Sequence, residues 1–136
     1  MILVDSGFLL ALAQPTDALH LRAVAWAERV NEPLLVTEYV LVEVINHLSK
    51  PADRSRGHEI VSHITASSDC QVVHASPELF GKGLALHRTR PDKEWSLTDC
   101  ISFCVMRDWG IGAALAYDHH FEQAGFEALL RRDPGS

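Results

Sequence analysis

Four acids in this sequence stand where a carboxylate can do chemistry: Asp5, Glu43, Asp99 and Asp118. Asp5 closes the apolar run Ile2-Leu3-Val4, and Asp118 closes another over residues 113–117. Asp99 ends the stretch Ser96-Leu97-Thr98-Asp99, and Glu43 stands inside the apolar segment Tyr39-Val40-Leu41-Val42-Glu43-Val44-Ile45. Two unit charges about 4 Å apart repel by about 4 kcal/mol at an effective dielectric near 20. Acids gathered in one place must therefore hold protons or recruit cations, and an oxygen-rich set suits the hard ions Mg²⁺ or Mn²⁺. Such ions acidify a bound water and offset charge on a scissile phosphate, which is the chemistry of phosphodiester hydrolysis. Each acid also has a plain structural alternative. Asp5 and Asp118 can be turn residues, Asp99 a capping group, and Glu43 a surface residue on one polar stripe with Asn46 and His47.

The elements around these acids predict how they meet. Residues 1–4 are too few for a helix and apolar at every position, the pattern of a parallel strand covered on both faces. Further strands are predicted over 34–36, 70–73, 113–117 and, at an edge, 126–130. Helices are predicted over 7–13, 18–30, 37–49, 59–66, 76–87, 96–109 and 121–124. Asp17 and Thr37 are expected caps, and Pro77 follows Ser76 at a first helical position. Ser96 and Asp99 have capping-box spacing, and Gly110 has the place of a C-cap. Gly81-Lys82-Gly83 is no phosphate loop, because no Ser or Thr follows the lysine. Residues 51–57 are expected as a basic connection and 131–136 as a flexible tail.

Strands alternating with helices give an α/β class with a mainly parallel sheet, in a single domain over 1–136. Strand C-termini and helix N-termini share one edge of such a sheet, so the four acids can converge there.

With 136 residues, 47% hydrophobic and 22% charged, the chain can bury a core without staples. No apolar run has the length to span a bilayer, and Met1 leads straight into the first strand without a signal-like segment. A cytoplasmic location is therefore expected. The three cysteines, Cys70, Cys100 and Cys104, fit a reducing compartment, and core packing is the favoured role for the last two over a metal pair. A net charge of −6 excludes a broad basic nucleic-acid surface, so a polyanion would be held through metal ions or locally by Lys82, Arg88, Arg90 and Lys93. An ordinary solvated face is the alternative for that cluster.

In order along the whole chain, Ile2-Leu3-Val4-Asp5-Ser6, Glu43 in its segment, Ser96-Leu97-Thr98-Asp99-Cys100, and Ala116-Tyr117-Asp118-His119-His120-Phe121 before Ala124-Gly125-Phe126 resemble the PIN-domain family and, within it, the VapC toxins of bacterial toxin–antitoxin pairs. The resemblance implies a PIN-like three-layer fold, helices flanking a sheet centred on the first strand. It also implies an Mg²⁺- or Mn²⁺-dependent endoribonuclease in which water attacks the phosphodiester without a covalent enzyme intermediate. By matching position, Asp5, Glu43, Asp99 and Asp118 become the metal-binding and catalytic acids, and Ser6 and Ser96 become hydroxyls that orient the site. A homodimer and a silencing antitoxin protein are further implications. His120 matches a family position with a structural role preferred, and Asp17 and His20 match a pattern for which capping and packing are preferred. The alternative of a catalytically silent RNA- or protein-binding module remains. A receiver-like domain is disfavoured, since its acidic pair after the first strand and its late lysine are both missing.

Overall fold

The computed structural model describes residues 1–135. β1 (Ile2–Val4) is buried throughout, as its unbroken apolarity requires. On its two sides lie β2 (Leu34–Thr37) and β4 (Ala113–Leu115), and outside these β3 (Cys70–Val73) and β5 (Glu127–Ala128). All four pairings are parallel, in the order β3-β2-β1-β4-β5. Successive side chains of a strand point to opposite faces. Leu3, Leu35 and Ala114 accordingly join one core, while Ile2, Val4, Val36 and Leu115 join the other.

Seven helices cover the two faces of the sheet among the described residues. α1 (Ser6–Ala13), α2 (His20–Arg29), α3 (Glu38–His47) and α4 (Arg54–Ala66) contribute to the second core. α5 (Pro77–Thr89), α6 (Leu97–Trp109) and α7 (His120–Gln123) contribute to the first. α6 buries seven consecutive residues, from Cys100 to Met106, and ends at Gly110 in the left-handed conformation (φ 68°) expected of its C-cap. Cys100 and Cys104 lie in this buried run, so both pack in the core. Gly83 of α5 faces Ile101 so closely that a Cβ there would collide with the isoleucine Cγ1. Close helix approach explains this glycine, and no phosphate enters the explanation. No helix among the described residues is long and apolar enough to cross a membrane.

Three expectations change. The 51–57 connection is in part helix, because α4 begins at Arg54, and Gly57 seats that added turn against Leu48 of the segment after α3. α3 is less buried than its composition suggests: Val40 and Val44 are buried, but Val42 is 57% exposed. The segment after β5 is a 3₁₀ turn (Leu129–Arg131), and the chain from there to Asp133 is tied down rather than free. Arg131 pairs with Glu122 and Arg132 with Glu127, Arg22 bonds Asp133, and the Trp26 indole N–H donates to the Arg132 carbonyl. Ser136, the last residue of the expected tail, lies outside the described residues.

Candidate active site

The strand order reverses direction between β1 and β4, since the chain builds outward to β3 and then returns through α5 and α6 to the opposite side of β1. A crevice opens outside the carboxyl ends of the strands at such a switch point. Asp5 directly follows β1, and Asp118 follows β4 by three residues. The backbone N–H of Asp5 donates to the Leu115 carbonyl at 3.2 Å, so the two strands deliver their acids side by side.

Asp99 arrives on the first turn of α6. Ser96 and Asp99 form the complete capping box: the Ser96 hydroxyl accepts from the Asp99 N–H at 3.0 Å, and Asp99 Oδ2 accepts from the Ser96 N–H at 3.2 Å. The cap alternative is thus correct as far as it goes, yet it uses only part of the carboxylate. Packing aims the rest. Trp95 meets Phe103 edge to face at 5.0 Å, Phe103 meets Phe121 at 5.0 Å, and the Trp95 indole N–H donates to Gln123. This wedge holds α7 against the start of α6 and sets His120 Nδ1 3.1 Å from Asp99 Oδ2 and 3.3 Å from Asp118 Oδ1.

Glu43 reaches the same place from α3. It is half-buried, and the Ser6 hydroxyl at the head of α1 donates a hydrogen bond to its Oε1. Asp5, Ser6, Glu43, Ser96, Asp99 and Asp118 all line one groove of about 700 Å³. Every residue singled out from the sequence for this site is therefore brought to it.

The electrostatics follow from burial without countercharge. Asp5 is only 8% exposed, and the charged form of a buried carboxylate is disfavoured. Burial first, then the charge of Asp99, then those of Glu43 and Asp118, push its pKa up to about 7, against the opposing N–H of Ser6. Burial also raises Asp99, opposed by the Ser96 N–H and His120. No lysine or arginine pairs with Asp5, Glu43, Asp99 or Asp118 among the described residues. A buried carboxylate that ionises only at a cost, facing three more, is a fitting donor set for a hard divalent cation. Asp118, His119 and His120 also place potential ligand atoms within 4.8 Å of one another, a mixed nitrogen and oxygen set at the more exposed rim.

Lys82, Arg88, Arg90 and Lys93 are absent from the groove lining. Lys82 pairs with Asp108 at 2.6 Å, and Arg90 and Lys93 pair with Asp92, so the solvated-face alternative fits these three. The groove instead has Arg131 on its lining, a residue that the tail assignment hid. Its only signal in the sequence is a basic residue beyond the last apolar run. Asp17 also lines the groove, where its Oδ1 accepts the Leu19 N–H, and His20 Nδ1 lies 2.7 Å from the Ala11 carbonyl. His20 has the packing role expected of it, whereas the cap expected of Asp17 is corrected: α2 starts at His20 with Leu19 at its N-cap and no side-chain cap, and Asp17 instead closes the turn before the helix.

Residues 2–127 match the family model of the PIN domain. The chain is 33% identical over 128 residues to the 23S rRNA-specific endonuclease VapC20 of Mycobacterium tuberculosis, covering 93% of this chain and 95% of the relative. The crystal structure of Mycobacterium tuberculosis VapC20, described as a sarcin–ricin-loop-cleaving toxin, superposes with a TM-score of 0.86 at 27% identity, covering 93% of this chain and 96% of that one. The crystal structure of FitAcB from Neisseria gonorrhoeae matches at a TM-score of 0.64 and 15% identity, over 94% of this chain and 95% of that one, a likeness of fold alone.

Proposed function

The chain belongs to the PIN-domain family and is a homologue of VapC-type endonuclease toxins, and on that premise we propose that it hydrolyses RNA phosphodiester bonds with Mg²⁺ or Mn²⁺ at Asp5, Glu43, Asp99 and Asp118. The observation that carries this reading is the unpaired, buried Asp5 facing three other acids in an open groove. A divalent ion bound there supplies charge neutralisation at the scissile phosphate and a more acidic water.

The chain's own residues do the rest. Ser6 holds Glu43 in place by donating to Oε1, and α1 thereby fixes α3 relative to Asp5. The capping box locks the rotamer of Asp99, with Ser96 as its backbone partner. His120 Nδ1 stands close to both Asp99 and Asp118, and its backbone N–H donates to Asp118 Oδ1, so that it ties the two carboxylates into a fixed geometry. The relative's description makes a structured loop of 23S rRNA the first substrate to try. An antitoxin protein and a homodimer are part of the same proposal, as is the cytoplasm, where ribosomal RNA is found. Exposed Val42 on α3 and Leu21 on α2 leave apolar surface for association.

The test is cleavage of a panel of end-labelled structured RNAs, including a sarcin–ricin-loop hairpin, with Mg²⁺ or Mn²⁺, with chelator, and with Asp99→Asn. Metal-dependent cuts that the variant lacks are expected. Identical bands from wild type and variant would refute the assignment, as would binding of RNA and metal by a folded protein that never cuts. Asn at position 99 keeps an oxygen able to cap α6, so the variant removes charge and leaves the helix start intact.

A further inference from the structure

Resting on the nuclease reading above, we infer that Arg131 and Tyr117 form a preset clamp for the RNA strand, Arg131 binding a phosphate and the Tyr117 ring stacking an unpaired base beside the acidic centre. Both residues line the groove, and Tyr117 immediately precedes Asp118, so whatever it holds lies next to the acids.

The guanidinium is fixed from three directions. Its Nη1 donates to the Tyr117 carbonyl at 2.9 Å, its Nε lies 3.1 Å from Glu122 Oε1, and its carbon stands 5.0 Å from the centre of the Tyr117 ring. The remaining N–H groups of this five-donor fork have no partner among the described residues. An arginine held in this way loses little side-chain freedom on binding a phosphate, and its planar fork matches two phosphate oxygens. Arg131 is also the one lysine or arginine that lines the groove among the described residues, where acids otherwise dominate. A polyanion entering there meets a single fixed cation outside the carboxylates.

Tyr117 is 43% exposed although it is a large aromatic directly after buried Ala116. Single-stranded RNA is recognised by unstacked bases that lie on aromatic faces or guanidinium planes. Arg131 covers the tyrosine ring on one side, so the pair offers one composite platform. Glu122 competes with phosphate for the same guanidinium, which makes it the tuning residue of the clamp.

The test measures equilibrium binding of a fluorescent sarcin–ricin-loop hairpin across a salt series at constant Mg²⁺. It uses full-length protein carrying Asp99→Asn so that substrate persists. Arg131→Ala in that background is expected to weaken binding about fivefold or more and to lower the slope of log affinity against log salt by about 0.7 to 0.9, the loss of one phosphate contact. Arg131→Lys is expected to keep the slope. Tyr117→Ala should weaken binding with the slope unchanged. Glu122→Gln, which leaves Arg131 in place and frees it, should tighten binding, and it keeps the test decisive if Arg131→Ala fails to fold. An unchanged slope in folded Arg131→Ala, or weaker binding by Glu122→Gln, overturns the clamp while the parent's binding and the wild-type cleavage stand. If parent and wild type neither bind nor cut RNA, the nuclease reading falls and the clamp falls with it.

Discussion

Asp108 and Asp5 are both aspartates at the end of an element, and their surroundings are opposite. On the α5–α6 surface Asp108 meets Lys82, and Asp92 meets Arg90 and Lys93, so each acid there has its cation and its solvent. Asp92 is held below its usual range by the Arg90 hydrogen bond. In the groove, Asp5 is buried among acids and pushed up to about 7. The fold pairs its acids with cations on the α5–α6 surface and leaves them without a lysine or arginine partner in the groove, the contrast on which the proposed metal site rests. Exposed pairs contribute little to stability, whereas acids held together without countercharge cost stability.

The largest expected effect breaks the groove side of this contrast. Asp5→Asn, Asp99→Asn or Asp118→Asn should lower cleavage by on the order of a thousandfold, the equivalent of several kcal/mol of transition-state charge stabilisation. The same Asp5→Asn change removes the costly charge and should raise the melting midpoint of metal-free protein at pH 7 or above, while abolishing any rise on adding Mg²⁺. Parallel melts with and without the ion check both.

The pH dependence sharpens the contrast. A carboxyl raised in the folded state favours folding most below its unfolded value of 3.8, and that contribution is lost as pH climbs through about 7. Metal-free protein should therefore become less stable across pH 4–7 from this group. Metal binding, which needs the ionised form, should strengthen across the same range, so that cleavage at low Mg²⁺ falls about tenfold per pH unit on the acid side. Raising Mg²⁺ should move that acid limb to lower pH. A limb that ignores metal concentration would break the link.

Smaller effects belong to the other region. Gly83→Ala should destabilise the α5–α6 contact by about 1–3 kcal/mol through overpacking against Ile101. Cleavage measured well below the melting midpoint should change far less than with any groove acid. Lys82→Ala, at an exposed pair, should shift the midpoint by less than about 2 °C and leave cleavage unaltered. A loss of RNA affinity in that variant would mean the surface cluster takes part in binding after all.

Much of the architecture was legible because its signals are local. An apolar run without alternation marks a doubly covered strand, and β1 is one; the capping box at Ser96 and the glycine at 110 mark the two ends of α6. The convergence of Asp5, Glu43, Asp99 and Asp118 was legible because a parallel sheet has one edge for chemistry. What was hidden depends on contacts far apart in sequence. Arg131 enters the groove only because the 3₁₀ turn and Glu122 direct it there. The pairing of Lys82 with Asp108 spans two helices, and without it a lysine reads as free for RNA. His120 shows its bridging position only when Trp95, Phe103 and Phe121 stack.

The central claim is that the unpaired acids direct water at a phosphodiester. The most direct measurement is the chemistry of the new RNA ends after cleavage of the sarcin–ricin-loop hairpin with Mg²⁺, read by mass spectrometry. Hydrolysis by water predicts a simple phosphate monoester on one fragment and a free hydroxyl on the other, both absent with chelator and with Asp99→Asn. A 2′,3′-cyclic phosphate would mean that the ribose hydroxyl is the nucleophile, and would contradict the account.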